Sequence, residues 1–158
     1  GHREIAGIFK SDDVQGPQRY HGAVSALRDA GLSIQDVRFA WYDTEDRRHL
    51  LEKRDGRLLT DFLQKRLEDA TAVICYNDEI AYHLIQALLE AGRRVPEDVA
   101  VVSVDNSYLS QLGPVPITSL SHRSRMGRVA AEQMIGLLLG EAARSKSLEW
   151  ELVARSSG

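Results

Sequence analysis

Val99-Ala100-Val101-Val102-Ser103-Val104-Asp105-Asn106 is the stretch that decides the fold. A run this short, almost without polar atoms and closed by an acid and an amide, reads as a strand covered on both faces, which is what a parallel sheet between helices requires. Upstream, Ile80, Ala81, Leu84, Ile85, Leu88 and Leu89 recur at helical steps until Gly92 stops them. Ahead of that helix lies a second short apolar run, Ala72-Val73-Ile74-Cys75-Tyr76. Two more, Val37 to Tyr42 and Ile5-Ala6-Gly7-Ile8-Phe9, flank a helix that starts near Gly16-Pro17 and ends at Gly31. Strands alternating with helices predict a three-layer α/β fold with a parallel sheet and right-handed crossovers.

Downstream the rhythm changes. Gly113-Pro114-Val115-Pro116 enforces an extended connector and is the best internal boundary. Beyond it come a short strand, Ile117 to Leu120, then a helix carrying Met126, Val129, Ala130, Met134, Leu137 and Leu138, and an alternating strand from Glu149 to Ala154. Between Asp43 and Arg57 ten of fifteen residues are charged, and this run reads as solvated surface leading into a helix with Leu58, Leu59, Phe62, Leu63 and Leu67 on one stripe.

Composition narrows the function. With 158 residues, 43% of them apolar, the chain can close one hydrophobic core. A net charge of -3 gives no cationic field for binding nucleic acid phosphates, so any contact with DNA must come from another domain. The single cysteine, Cys75, leaves no intrachain disulfide or cysteine-based zinc site and fits a reducing compartment. Gly1-His2 reads as a cloning remnant ahead of a strand that begins at once, the abrupt start expected of a fragment.

Ligands of open α/β sheets bind beyond the carboxyl ends of the strands. Here those ends deliver Phe9 through Asp13, Tyr42-Asp43-Thr44, Tyr76-Asn77-Asp78 and Asp105-Asn106. Carboxylates and amides for hydroxyl groups, with aromatic faces for C–H groups, suit a neutral polyhydroxylated ligand. Each residue also has a plainer reading. Asn77 or Asp78 can cap the following helix, Asp12 and Asp13 can form a turn, Arg19 can be solvated, and Trp41 and Tyr42 can be sheet packing. No phosphate loop, dinucleotide fingerprint, nucleophile elbow or zinc motif occurs, and no cofactor is implied. One enzyme-like alternative is a phospho-acceptor receiver domain with Mg²⁺ near Asp12-Asp13, but the third strand ends in Tyr76-Asn77 and the acid comes one position late, at Asp78.

Ile74 through Ala81, Val95 through Asn106, and Ile117-Thr118-Ser119-Leu120, in that order and spacing, resemble the effector domain of the LacI/GalR repressors, from Ile5 to about Arg155. Gly7 through Gly16 together with Cys75-Tyr76-Asn77-Asp78-Glu79-Ile80-Ala81 looks more narrowly like the arabinose-responsive repressors, which join a GntR-type winged helix to this domain. The resemblance implies a non-enzymatic, cytoplasmic, homodimeric protein with no membrane segment. A sugar would sit between two periplasmic-binding-protein-like lobes, and DNA would be bound through a domain absent from this chain. By position it implies ligand contacts from Arg19, Asn77 and Asp105, with His122 at a cleft-facing position and Phe9 and Asp12 added from the narrower match. The chain departs from the family in having Ser103-Val104 ahead of Asp105 and Asn106 after it, which touches the pocket floor. A transport-type sugar-binding protein is the alternative in another class. The resemblance divides the chain into a C-terminal lobe at residues 3–112, a crossover segment of the N-terminal lobe at 113–145, and a return strand at 146–158. The helix from Arg123 to Leu139 would then lack its native sheet and would pack back on its own lobe or on a second chain.

Overall fold

A computed structural model describes residues 1–122, 125–142 and 144–158. Six strands form one sheet: β1 Ile5–Lys10, β2 Phe39–Tyr42, β3 Ala72–Cys75, β4 Ala100–Val104, β5 Thr118–His122 and β6 Trp150–Val153. Their order is β2-β1-β3-β4-β5-β6, with β1 to β5 parallel and β6 antiparallel to β5. The helices are α1 Gln15–Asp29, α2 Thr44–Glu52, α3 Arg57–Lys65, α4 Asp78–Glu90 and α5 Met126–Leu138.

The strand pleat sorts the core onto two faces. Ala6, Ile8, Val73, Cys75 and Val101 join the buried residues of α3 and α4 in the larger cluster, where Ile80, Ala81, Leu84 and Leu88 are fully buried. On the opposite face Phe9 and Phe39 pack with Leu27 of α1. The contact between β1 and α1 is so close that a Cβ on Gly16 would run into the Lys10 carbonyl, so only glycine fits there.

Coverage of the second face stops at β3, and this corrects the expectation drawn from β4. Val102 and Val104 are partly exposed, because α1 reaches only the first half of that face and α5 does not cover the rest. Nor does α5 pack back on its own lobe. None of its described side chains is buried, and Met134, Ile135 and Leu138 are 59%, 56% and 80% exposed. Its apolar stripe meets no counter-surface among the described residues, and Arg123, where the helix was expected to begin, lies outside them.

Two further differences have simple causes. Thr118–His122, which falls within the expected 113–145 crossover segment, pairs here with β4. It is the fifth strand of this sheet, in register with Val102–Val104, and β6 pairs along its other side. The charged run holds the unforeseen helix α2, opened by a capping box in which the Asp43 carboxylate accepts from the Asp46 N–H and Asp46 reaches back to the Asp43 N–H. At the base of the sheet Ser157 is fully buried. Its Oγ donates to the Val101 carbonyl and accepts from the Thr118 N–H, joining the chain's last residues to β4 and β5.

Candidate functional site

The uncovered half of the second face forms a cleft of about 840 Å³, bounded by α1, by the carboxyl ends of β3, β4 and β5, and by Trp150 of β6. Its polar feature is an ion pair that spans two elements. Arg19 of α1 meets Asp105, just past β4, at 3.1 Å.

The guanidinium of Arg19 is fixed from several sides. It lies 4.6 Å from the centre of the Tyr76 ring, donates to the Tyr76 carbonyl, and donates to Gln15 Oε1 at 2.6 Å one helical turn away. A cation over an aromatic face with its donors engaged is held in one orientation before any ligand arrives. Tyr76 is itself anchored, since its hydroxyl donates to Asp13. Burial pushes the Tyr76 phenol up to about 12, and the Asp13 carboxylate adds to that shift. Burial opposes the charge on Asp13. Bonds from Tyr76 and the Gly16 N–H, with Lys10 nearby, outweigh it and hold the carboxyl below its ordinary value.

The partner, Asp105, sits in the left-handed region at φ 107°. Burial raises its pKa, and Arg19 offsets only part of that rise. A half-buried carboxylate of this kind has unused acceptor capacity and gains from a hydroxyl donor.

The remaining sequence candidates fall into different places. Phe9 lies on the cleft floor but is 1% exposed, packed against the rings of Tyr20, Phe39 and Trp41. Asp12 does not line the cleft. It accepts from Lys10 and from the Thr44 N–H at 3.0 Å, which ties the β1 and β2 ends together, and the Lys10 bond holds its carboxyl far below the usual range. Asn77 is the N-cap of α4, accepting from the Ile80 N–H at 3.1 Å. His122 does face the cleft. Its ring stacks on Trp150 with centroids 3.9 Å apart, and Nδ1 is buried with no protein partner among the described residues. Sequence reasoning did not select Gln15, Tyr76 or Trp150 as site residues. Gln15 had a legible signal, a position one turn before Arg19, whereas the stack on Trp150 depends on the β5–β6 register.

The receiver-type alternative does not assemble. Asp12 is neutralised by Lys10, and Asp78 is 1% exposed beneath three donors. Among the described residues no group of His, Cys, Asp and Glu could hold a metal ion, and no helix is long and apolar enough to cross a membrane.

An open cleft at the carboxyl edge of a parallel sheet, lined by a held cation and a half-buried acid, defines a ligand-binding domain. Residues 1–158 match the family model for a periplasmic binding protein-like domain, and the chain belongs to that family. More narrowly, it is an effector domain of the LacI-family transcriptional regulators, a binding domain and not an enzyme. An arabinose metabolism transcriptional repressor of Halalkalibacterium halodurans is 34% identical over 139 residues, covering 87% of this chain and 36% of that protein. Its counterpart in Geobacillus stearothermophilus is 33% identical over 140 residues, covering 87% and 37%. A solved complex of the transcriptional regulator CelR with cellobiose matches at TM-score 0.81 and 31% identity, over 100% of this chain and 47% of that one. The chain thus spans between a third and a half of the length of these relatives.

Proposed function

We propose that the chain is the sugar-sensing lobe of a cytoplasmic transcriptional repressor, with L-arabinose as its effector. The observation that carries this reading is the Arg19–Asp105 pair, set across an open cleft and held by Tyr76 and Gln15 rather than by bulk solvent. A guanidinium donates and a carboxylate accepts, so together they engage neighbouring ring hydroxyls, and the His122–Trp150 stack offers an apolar face to C–H groups. The names of the two arabinose repressors favour the pentose, and the CelR–cellobiose complex, a structure of like fold, favours a saccharide as the class of ligand.

In this reading residues 3–112 with β5 and β6 make one lobe, and α5 belongs against the other. Sugar bound between the lobes favours the closed arrangement, which shifts the geometry of a homodimer and releases DNA from a separate DNA-binding domain of the protein. The shift can be no larger than the difference in sugar affinity between the two arrangements.

Titration calorimetry on the full-length protein across pentoses and hexoses tests the proposal. L-arabinose is expected to bind, and Arg19→Ala or Asp105→Ala to weaken it at least tenfold, about 1.4 kcal/mol. No binding of any sugar would overturn the reading, and binding of hexoses alone would overturn the choice of L-arabinose.

A further inference from the structure

Asp105 and its neighbour Asn106 are both left-handed, at φ 107° and 49°, and two successive non-glycine residues in that region persist only where their surroundings hold them. The backbone around the bend is bonded at every step. The Asp105 N–H donates to the Leu120 carbonyl at 2.9 Å, the Asn106 N–H to Ser119 Oγ at 2.9 Å, and the Ser107 N–H to Asp78 Oδ2 at 2.5 Å. Ser119 Oγ in turn donates to Asp78 Oδ1 at 2.6 Å, and Ser103 Oγ donates to the same oxygen. Ser103 and Ser119 are register partners on β4 and β5, so the pleat aims both hydroxyls at one point, and the first residue of α4 places its carboxylate there.

Asp78 is therefore the junction of three elements, and two of its contacts, one direct and one through Ser119, end on the backbone of the bend. We infer that Asp78 is a positioning residue for the ligand site: it holds the left-handed Asp105–Asn106 turn that presents the Asp105 carboxylate to Arg19. Arg155 is the second anchor, donating to Asn106 Oδ1 at 2.6 Å and to the Ile117 carbonyl at 2.7 Å. Asp78 itself is 1% exposed and does not line the cleft. The inference rests on the proposed role of Arg19 and Asp105.

Two measurements on the full-length protein test it. Without sugar, the amide protons of Asp105, Asn106 and Ser107 are expected to exchange at least tenfold faster in Asp78→Asn, while those of β1 keep their wild-type rates. Asparagine has one acceptor oxygen where the carboxylate has two, so it cannot serve the serines and the Ser107 N–H together. With L-arabinose, Asp78→Asn is expected to weaken binding at least tenfold in the wild-type background and not further in Asp105→Asn, a non-additivity that loss of stability alone would not produce. Ser119→Ala, which cuts only the relay, gives the same pattern more weakly and serves if Asp78→Asn does not fold. Unchanged exchange at the three amides would overturn the inference, as would an equal loss of affinity in both backgrounds. Should the wild type bind no sugar, the proposed function falls and the exchange rates alone decide the role of Asp78.

Discussion

Asp105 works against the stability of the fold that holds it. Its folded pKa is raised, so the stability linked to this group is present when it is protonated and is lost as the pH rises through the raised value. Asp105→Asn removes the charge for good and tolerates left-handed backbone. It is expected to raise the melting midpoint at pH 7, by no more than about 2 °C because the side chain is half exposed. The gain should vanish below the ordinary carboxylate value of 3.8, and thermal scans across pH read this directly. At this scale the sequence was legible in part. Arg19, Asp105 and His122 all reach the cleft, since position at a strand end or on the first helix is enough to put them there. Asp12 and Asn77 sit at equivalent ends but accept from backbone N–H groups: Asn77 caps α4, the plainer reading its place before a helix allowed, whereas Asp12 bonds the Thr44 N–H at the end of another strand, a contact that the order of residues does not show.

Among the elements, α1 depends most on a single atom that is absent. Gly16→Ala would force a methyl group into the Lys10 carbonyl, pushing the start of α1 off β1 and carrying Arg19 with it. A cost of about 2 kcal/mol is expected in chemical denaturation, with a further loss of sugar affinity. The strands were readable because short apolar runs between helical periods have few other solutions. Helix α2 was not, because ten charges in fifteen residues hide a helix whose main signal is its cap, Asp43 with Asp46. The antiparallel return of β6 needed no crossover helix, so no periodicity announced its direction or its pairing of His122 with Trp150.

For the molecule as a whole, the unpaired helix governs behaviour in solution. Met134, Ile135, Leu138 and Leu139 form an apolar surface that a monomer of 17.6 kDa leaves in water. Light scattering on the chain alone is expected to give a mass above the monomer, and Ile135→Glu with Leu138→Glu to return it to 17.6 kDa. A monomer before substitution would show that the stripe is tolerated in water. The stacked pair at the cleft has a different use. Trp41 and Trp150, the only two indoles, stand on strands at opposite edges of the sheet, and only Trp150 lines the cleft. Replacing Trp41 by phenylalanine leaves a single indole, resting on an imidazole at the cleft wall and excited selectively at wavelengths that tyrosine does not absorb, so the protein carries its own optical gauge. Its emission is expected to follow the filling and draining of that space without any added dye, and a sugar titration of the Trp41→Phe variant reads it directly.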